Sequence, residues 1–230
     1  MPDGSHLRLP ARTGAWVFDL DDTLYPASSG LFGQTRQRIR DYIAREMRLD
    51  PTAAEACRRD LLARYPTTLL GLMAERAIDP VAYLTYVHDL DYSVLAADVA
   101  LDALLARLPG DKLVFTNGSV AHAQAVLERL DIARHFSAVF DIAAADFVPK
   151  PAPASYARLA ARHGLLPADA VMIDDLRRNL PPAAELGMTT VWLDIGAADV
   201  DRQPAPYIHN TAVDLKAWLS LAADHLSAAT

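Results

Sequence analysis

The sequence has little cysteine and no long apolar run, and both absences narrow the classes of protein it can encode. A single cysteine, Cys57, among 230 residues excludes an intramolecular disulfide and a multi-cysteine metal site. No apolar run approaches the roughly 20 residues of a membrane helix, and the N-terminus lacks the apolar stretch of a secretory signal. We therefore expect a cytoplasmic protein that does not act on a membrane.

Basic residues are also in deficit, with 22 Lys and Arg against 29 Asp and Glu. The resulting field does not favour nucleic-acid polymers or anionic lipid surfaces as partners. With 52% hydrophobic and 22% charged residues, the composition is typical of a packed globular protein. We expect a monomer or homodimer that binds a small molecule.

Short apolar runs alternate with helical patterns, which predicts an α/β fold with a doubly wound, mostly parallel sheet. Each run is rich in β-branched or aromatic residues and has the length of a buried strand. The predicted strands are residues 15–20, 112–116, 170–173 and 189–193, with 137–141 as a weaker fifth. Crossover helices are predicted at 120–130, 153–163 and 176–186, and a last helix at 214–226.

About ninety residues separate the first two strands, far more than one crossover needs. Helical spacings between 31 and 47 are followed by patterns at 52–65, 69–77, 79–87 and 98–108. We predict an all-helical cap insertion at residues 26–91 on a core of residues 15–25 and 92–230. Residues 1–14 are polar and irregular and are predicted to be a flexible terminus.

Polar side chains follow the predicted strands. These residues are Asp19, Asp21, Asp22 and Thr23 after the first, Thr116, Asn117 and Gly118 after the second, and Asp174 and Asp175 after 170–173, with Lys150 just before a later helix. In such sheets ligands bind beyond the carboxyl ends of the strands. Converging carboxylates repel one another unless a cation neutralises them, and oxygen ligands of this kind suit Mg²⁺. A phosphate dianion could then approach Asp19.

Four motifs, FDLDDTLY, FTNG, KP and IDD, stand in the order in which they resemble the haloacid dehalogenase superfamily of phosphohydrolases. The resemblance implies a helical cap on an α/β core and a phosphatase that uses Mg²⁺. It implies that Asp19 is the nucleophile and that Asp21 is the general acid and base. It further implies that Thr116 and Asn117 hold phosphoryl oxygens, that Lys150 steadies the phosphate charge, and that Asp174 and Asp175 bind Mg²⁺ with the Asp19 carboxylate and Asp21 carbonyl.

The second aspartate, Asp21, separates this chain from the dehalogenases that it resembles, because a leaving halide needs no proton. The runs DLDDTLYPASSGLF, RYPTTLLGLM and IDDLRRNL look like the pyrimidine 5′-nucleotidase branch. That likeness implies a nucleoside 5′-monophosphate as substrate. The alternatives are a sugar-phosphate or phosphoglycolate phosphatase, a phosphomutase of the same superfamily, and a non-catalytic protein that binds a phosphorylated ligand.

Within the insertion, Phe32, Arg36, Tyr65 and His88 are candidate contacts to the leaving group, although amphipathic helices also present such residues without any function. Asn179 is a candidate support for the metal ligands. The seven histidines show no metal-binding spacing and are interpreted as titratable surface residues. Each motif taken alone is more typical of a turn or a helix cap, so the functional prediction depends on their combination.

Overall fold

The chain folds around one parallel six-stranded sheet, which confirms the predicted doubly wound α/β architecture. A computed structural model describes residues 7–196 and 201–228, and within them the strand order is β3-β2-β1-β4-β5-β6. The strands are β1 (Ala15–Phe18), β2 (Asp111–Phe115), β3 (Ala138–Phe140), β4 (Ala170–Asp174), β5 (Thr189–Leu193) and β6 (Asn210–Ala212).

The central strand β1 decides where the site forms. All four of its residues are buried, as expected for an apolar strand covered on both faces. Phe18 is in register with Val114 of β2 on one side and with Ile173 of β4 on the other. Because all pairings are parallel, the residues that follow these strands meet at one edge of the sheet.

The edge strand β6 was not predicted. Its sequence, Asn-Thr-Ala, has no apolar run, and it becomes a strand by pairing with β5. The same strand holds the N-terminal segment, because the backbone N–H of Arg8 donates to Asn210 Oδ1 and the Asn210 amide donates to the carbonyl of Arg8. Residues 7–14 of the predicted flexible terminus thus contact the sheet, and residues 1–6 lie outside the described part.

Helices occupy the predicted segments with small shifts at their ends. They are α1 (Leu31–Met47), α2 (Pro51–Arg64), α3 (Thr68–Arg76), α4 (Pro80–Val87), α5 (Val99–Arg107), α6 (Val120–Arg129), α7 (Pro153–His163), α8 (Leu180–Leu186) and α9 (Leu215–Ala228). The start predicted for α8 at residue 176 is wrong. Residues 177–179 form a single 3-10 turn, and Pro181 and Pro182, which lack backbone N–H groups, occupy the first helical turn.

Helices α1 to α4 enclose a hydrophobic cluster of their own, built around Ile43, Leu61 and Leu72. Ile142, in the loop after β3, joins this cluster and connects the helical layer to the sheet. Helix α5 instead packs with α9 against the sheet. In residues 7–196 and 201–228, no helix has both the length and the apolar character of a membrane span.

Candidate active site

A buried lysine joins two strand ends at the edge of the sheet. Lys150 Nζ lies 2.6 Å from Asp19 Oδ1 and 2.7 Å from Asp174 Oδ2, and the lysine is 2% exposed. Burial alone would lower the pKa of Lys150, but the two carboxylates outweigh it and raise this pKa above its ordinary value. Lys150 is therefore a fixed positive charge between Asp19 and Asp174.

The main chain of Lys150 is held by Asn117. The Asn117 amide donates to the Lys150 carbonyl at 3.2 Å and accepts from the Lys150 N–H at 2.8 Å. The Asn117 side chain, predicted to contact phosphate, is therefore engaged with the loop that carries Lys150. The hydroxyl oxygen of the neighbouring Thr116 accepts from the Gly118 N–H at 2.9 Å, and Thr116 is buried directly after β2.

Three carboxylates form a group that fits a divalent cation. Asp19, Asp174 and Asp175 each offer one oxygen, and these oxygens lie within 4.8 Å of one another. The Asn179 amide donates to both oxygens of Asp174, at 2.9 and 3.0 Å, which fixes that ligand. Asn179 Oδ1 is a buried acceptor with no hydrogen-bond partner in the described structure, and it can accept from a water carried by the ion. The donor set is all oxygen, as Mg²⁺ prefers.

The pKa values of these carboxyl groups show that their ionisation is unfavourable without a cation. Burial, with Asp174 and Asp21 nearby, raises the pKa of Asp19 to about 7, although Lys150 opposes the shift. Burial and the charge of Asp19 raise the pKa of Asp175 to about 9. At neutral pH Asp175 therefore holds a proton and Asp19 is partly protonated, unless another positive charge takes the place of the protons.

Asp21 is not part of this carboxylate group, because its side chain turns to other partners. Asp21 Oδ1 accepts a hydrogen bond from the Tyr25 hydroxyl and lies 2.8 Å from His122 Nε2. Burial would raise the pKa of Asp21, but the His122 and Tyr25 contacts outweigh it and hold this pKa below its ordinary value. The carboxylate of Asp21 is therefore ionised. It is held by Tyr25 and His122, not by the residues that could bind the metal.

The candidate residues from the insertion differ in whether they lie near the strand ends. The Arg36 guanidinium lies 5.2 Å from the centre of the Phe32 ring. Burial and the charge of Asp21 raise the pKa of Asp22 to about 6, and the charge of Arg36 opposes this rise. Helix α1 thus presents Arg36 towards the aspartate turn. Tyr65 instead packs against Gly71 and Leu61 inside the helical layer, so the structure does not bring it to the strand ends.

His88 lies beside the second strand end rather than in open space. Its ring stacks on that of His122, with centroids 4.4 Å apart and planes 7° apart, and its Nδ1 is 2.9 Å from the Ser119 hydroxyl. Burial, reinforced by the nearby His122, lowers the pKa of His88 to about 3. His88 is therefore a neutral ring at neutral pH.

The interpretation of all histidines as surface residues is wrong for His122, which is 1% exposed. Sequence reasoning missed His122 and Tyr25 as partners of Asp21. A weak signal existed for Tyr25, which stands four residues after Asp21 in the same motif. His122 stands 101 residues from Asp21, and no local pattern connects the two.

Two curated proteins resemble the chain over most of its length. "Phosphate metabolism protein 8" of Saccharomyces cerevisiae is 30% identical over 197 residues, which cover 78% of this chain and 60% of the yeast protein. The chain thus spans less than two thirds of that relative. "Glyceraldehyde 3-phosphate phosphatase" of Methanopyrus kandleri is 30% identical over 197 residues, which cover 79% of this chain and 84% of the relative.

Solved structures show the same fold, and a family model identifies the chain. A HAD phosphatase from Thermococcus onnurineus superposes with a TM-score of 0.61 at 19% identity, covering 91% of this chain and 97% of that one. An L-2-haloacid dehalogenase from Xanthobacter autotrophicus shares the fold, with a TM-score of 0.55 at 17% identity, covering 90% and 97%. The model of haloacid dehalogenase-like hydrolases matches residues 14–187, well over half of the sequence. The chain therefore belongs to the haloacid dehalogenase-like hydrolases.

Proposed function

We propose that the chain is a magnesium-dependent phosphomonoesterase that forms an aspartyl-phosphate on Asp19 and acts on a nucleoside 5′-monophosphate. The observation that carries the proposal is the buried Lys150, which lies within hydrogen-bond distance of both Asp19 and Asp174. This charge permits a second anion, the phosphate, to approach a carboxylate that would otherwise repel it. The hydrolase family and the phosphatase names of relatives support the same reaction.

In the first half-reaction, an oxygen of the Asp19 carboxylate attacks phosphorus. The bond between phosphorus and the ester oxygen breaks, and its electron pair leaves with that oxygen, which takes a proton from Asp21. Lys150 remains at the site and offsets the charge on the phosphoryl group. In this proposal the Thr116 hydroxyl, directly after β2, binds a phosphoryl oxygen.

In the second half-reaction, Asp21 removes a proton from a water that attacks phosphorus. The bond between phosphorus and the Asp19 oxygen breaks, and phosphate and the Asp19 carboxylate are regenerated. The lowered pKa of Asp21 keeps its carboxylate ionised, so that it can accept the proton of this water. For the acid role, the approaching phosphate dianion raises this pKa, because a like charge disfavours the ionised carboxyl group.

The metal ligands in this proposal are the carboxylates of Asp19, Asp174 and Asp175, together with the main-chain carbonyl of Asp21. When bound, Mg²⁺ neutralises these oxygens and polarises the phosphoryl group. Asn179 holds Asp174 in place.

The substrate class rests on the side chains that helix α1 presents and on the likeness to the pyrimidine 5′-nucleotidase branch. Phe32 offers a ring on which a base can stack, and Arg36 beside it offers a charge for polar groups. We propose that residues 26–91 act as a cap over the core of residues 15–25 and 92–230, closing on the nucleotide. We also propose a monomer or homodimer in the cytoplasm that uses neither a nucleic-acid polymer nor a membrane.

A second candidate substrate is a triose phosphate. The relative from Methanopyrus kandleri carries the name glyceraldehyde 3-phosphate phosphatase, and the match covers 84% of it. Such a substrate would use the same phosphate site and leave Phe32 without a stacking partner.

The test of the function is phosphate release from UMP, CMP, AMP, glyceraldehyde 3-phosphate, phosphoglycolate and common sugar phosphates, with Mg²⁺ or with EDTA. We expect hydrolysis that EDTA abolishes and the largest kcat/KM for a pyrimidine monophosphate. Phe32→Ala should then lower kcat/KM for the nucleotide more than for the triose phosphate. Absence of hydrolysis across the panel contradicts the function, and interconversion of sugar phosphates without phosphate release favours a phosphomutase.

Magnesium should stabilise the fold more at high pH than at low pH. The folded-state pKa values of Asp19 and Asp175, about 7 and about 9, lie above the ordinary 3.8. Their contribution to stability without a cation is therefore complete below about pH 4 and is lost as pH rises through these values. Bound Mg²⁺ takes the place of the protons, so the rise in Tm on adding MgCl₂ should reach about 5–10 °C near about pH 8.5 and nearly vanish near about pH 5.

Asp174→Asn and Asp22→Asn form a matched pair for this measurement. Asp174 belongs to the carboxylate group, whereas Asp22 is another buried carboxyl group in the neighbouring turn, outside that group. Only Asp174→Asn should lose the response to Mg²⁺. A response that does not depend on pH, or that survives Asp174→Asn, contradicts the assignment of the metal ligands.

A further inference from the structure

The carboxylate of Asp21 is held by one of its two oxygens. Both the Tyr25 hydroxyl and His122 Nε2 contact Oδ1, and no donor within residues 7–196 and 201–228 contacts Oδ2. The Asp21 side chain is 19% exposed, while that of His122 is fully buried. One oxygen is thus anchored from inside the protein, and the other is left for a group that enters the site.

The His122 ring is itself fixed on several sides. The Tyr92 hydroxyl lies 3.0 Å from His122 Nδ1 and 3.0 Å from the carbonyl oxygen of His88. The His88 ring stacks on one face of His122. His88 and Tyr92 flank the return from α4 to the core, and His122 lies in the first turn of α6. An ionised carboxylate only accepts hydrogen bonds, so Nε2 carries a proton and donates it towards Asp21.

We propose that His122 is the positioning residue of Asp21, holding Oδ1 so that Oδ2 faces the oxygen of the leaving group. The inference rests on the proposed function, in which Asp21 is the general acid and base. Within the described residues, the His122 ring has hydrogen-bond contacts with Asp21 and Tyr92, and it also lies beside Gly118. Its role in the reaction is assigned to the contact with Asp21.

Orientation matters because a carboxylate turns easily about its last side-chain bond, whose torsion has broad minima. Proton transfer in contrast requires the two heavy atoms to lie about 2.6–3.2 Å apart. A donor fixed in the core removes that rotation before the substrate arrives, and small misplacements in such sites cost about 100-fold in rate.

The same geometry is compatible with a purely structural role, in which His122 packs against the His88 ring. The two roles differ in what replaces His122. His122→Phe keeps a planar ring for the stack and removes the donor, whereas His122→Gln loses the ring and can place an amide N–H near the position of Nε2. A packing role favours phenylalanine, and a positioning role favours glutamine.

The experiment compares kcat/KM for two esters, using the 230-residue chain with Mg²⁺. Kcat/KM reports the transfer of phosphate to Asp19. An alkyl ester such as glycerol phosphate needs a proton on its leaving oxygen, while p-nitrophenolate leaves without one. We expect His122→Phe to lower kcat/KM by about 100-fold for the alkyl ester and by less than about threefold for the p-nitrophenyl ester, with His122→Gln recovering most of the loss.

Equal losses for the two esters, or a phenylalanine variant more active than the glutamine variant, overturn the proposal. If circular dichroism shows that His122→Phe does not fold, Tyr92→Phe takes its place, because it removes one hydroxyl that holds the ring. An unchanged ratio of the two kcat/KM values in Tyr92→Phe then contradicts the proposal. Failure of the proposed function is distinct, since wild-type protein would then release no phosphate from either ester.

Discussion

Replacing Asp19 by asparagine is expected to reduce phosphate release by at least about 10³-fold, because an amide oxygen does not form the covalent intermediate. The site should otherwise persist, since Lys150 keeps its contact with Asp174 at 2.7 Å. Phosphate release under saturating substrate and Mg²⁺ measures the loss, and the melting temperature shows whether the fold survives.

Asp22→Asn is the matched control for Asp19→Asn. Asp22 lies in the same turn, is 8% exposed and has a φ of 57°, a conformation that asparagine tolerates well. Burial, with Asp21 adjacent, raises the pKa of Asp22 to about 6, so a neutral amide resembles its protonated form. We expect this variant to stay within about tenfold of the wild type. Activity in Asp19→Asn that matches the control would exclude the aspartyl-phosphate mechanism.

Replacing Lys150 by methionine should remove both activity and a large part of the stability. The change leaves Asp19 and Asp174 buried without their shared cation, and breaking a buried ion pair in this way costs about 3–5 kcal/mol. Activity should fall by at least about 10²-fold, because the charge that admits the phosphate is lost. Urea denaturation with EDTA measures the free energy of unfolding.

Lys112→Met separates this effect from the cost of replacing any buried lysine. Lys112 is 8% exposed, and its Nζ donates to the carbonyls of Leu108 and Gly110 at 2.8 and 3.2 Å. Burial lowers the pKa of Lys112, whereas the pKa of Lys150 is raised. We expect a loss of about 1–3 kcal/mol without an effect on activity. Mg²⁺ should narrow the stability difference for Lys150→Met only, and equal behaviour of the two variants would contradict the role of Lys150.

The strands could be predicted where burial on both faces leaves an apolar run, as in β1 and β5. The edge strand β6 could not, because its Asn-Thr-Ala sequence contains no such run and its extended form depends on pairing with β5. The start of α8 could not be predicted from the helical pattern either. The helical pattern extends back to residue 176, but Pro181 and Pro182 place the first turn of the helix after a 3-10 turn.

Within the site, the motif residues and their partners differ in how far sequence reasoning could reach. Asp19 and Asp174 follow or end apolar strands and could be expected at one edge. The contact of Asn117 with the Lys150 main chain joins residues 33 apart, and the contact of His122 with Asp21 joins residues 101 apart. No local sequence pattern indicates either contact.

The sequence by itself determined which groups gather beyond the strands, because parallel strands joined by helices all end at the same edge of their sheet. Asp19, Thr116 and Asp174 are the residues placed in this way. Only the tertiary structure decided that Asn117 turns to Lys150, that Tyr65 packs within the helical layer, and that Asp21 is held by a buried histidine. These choices depend on the packing of side chains from segments far apart along the chain, which no short motif encodes.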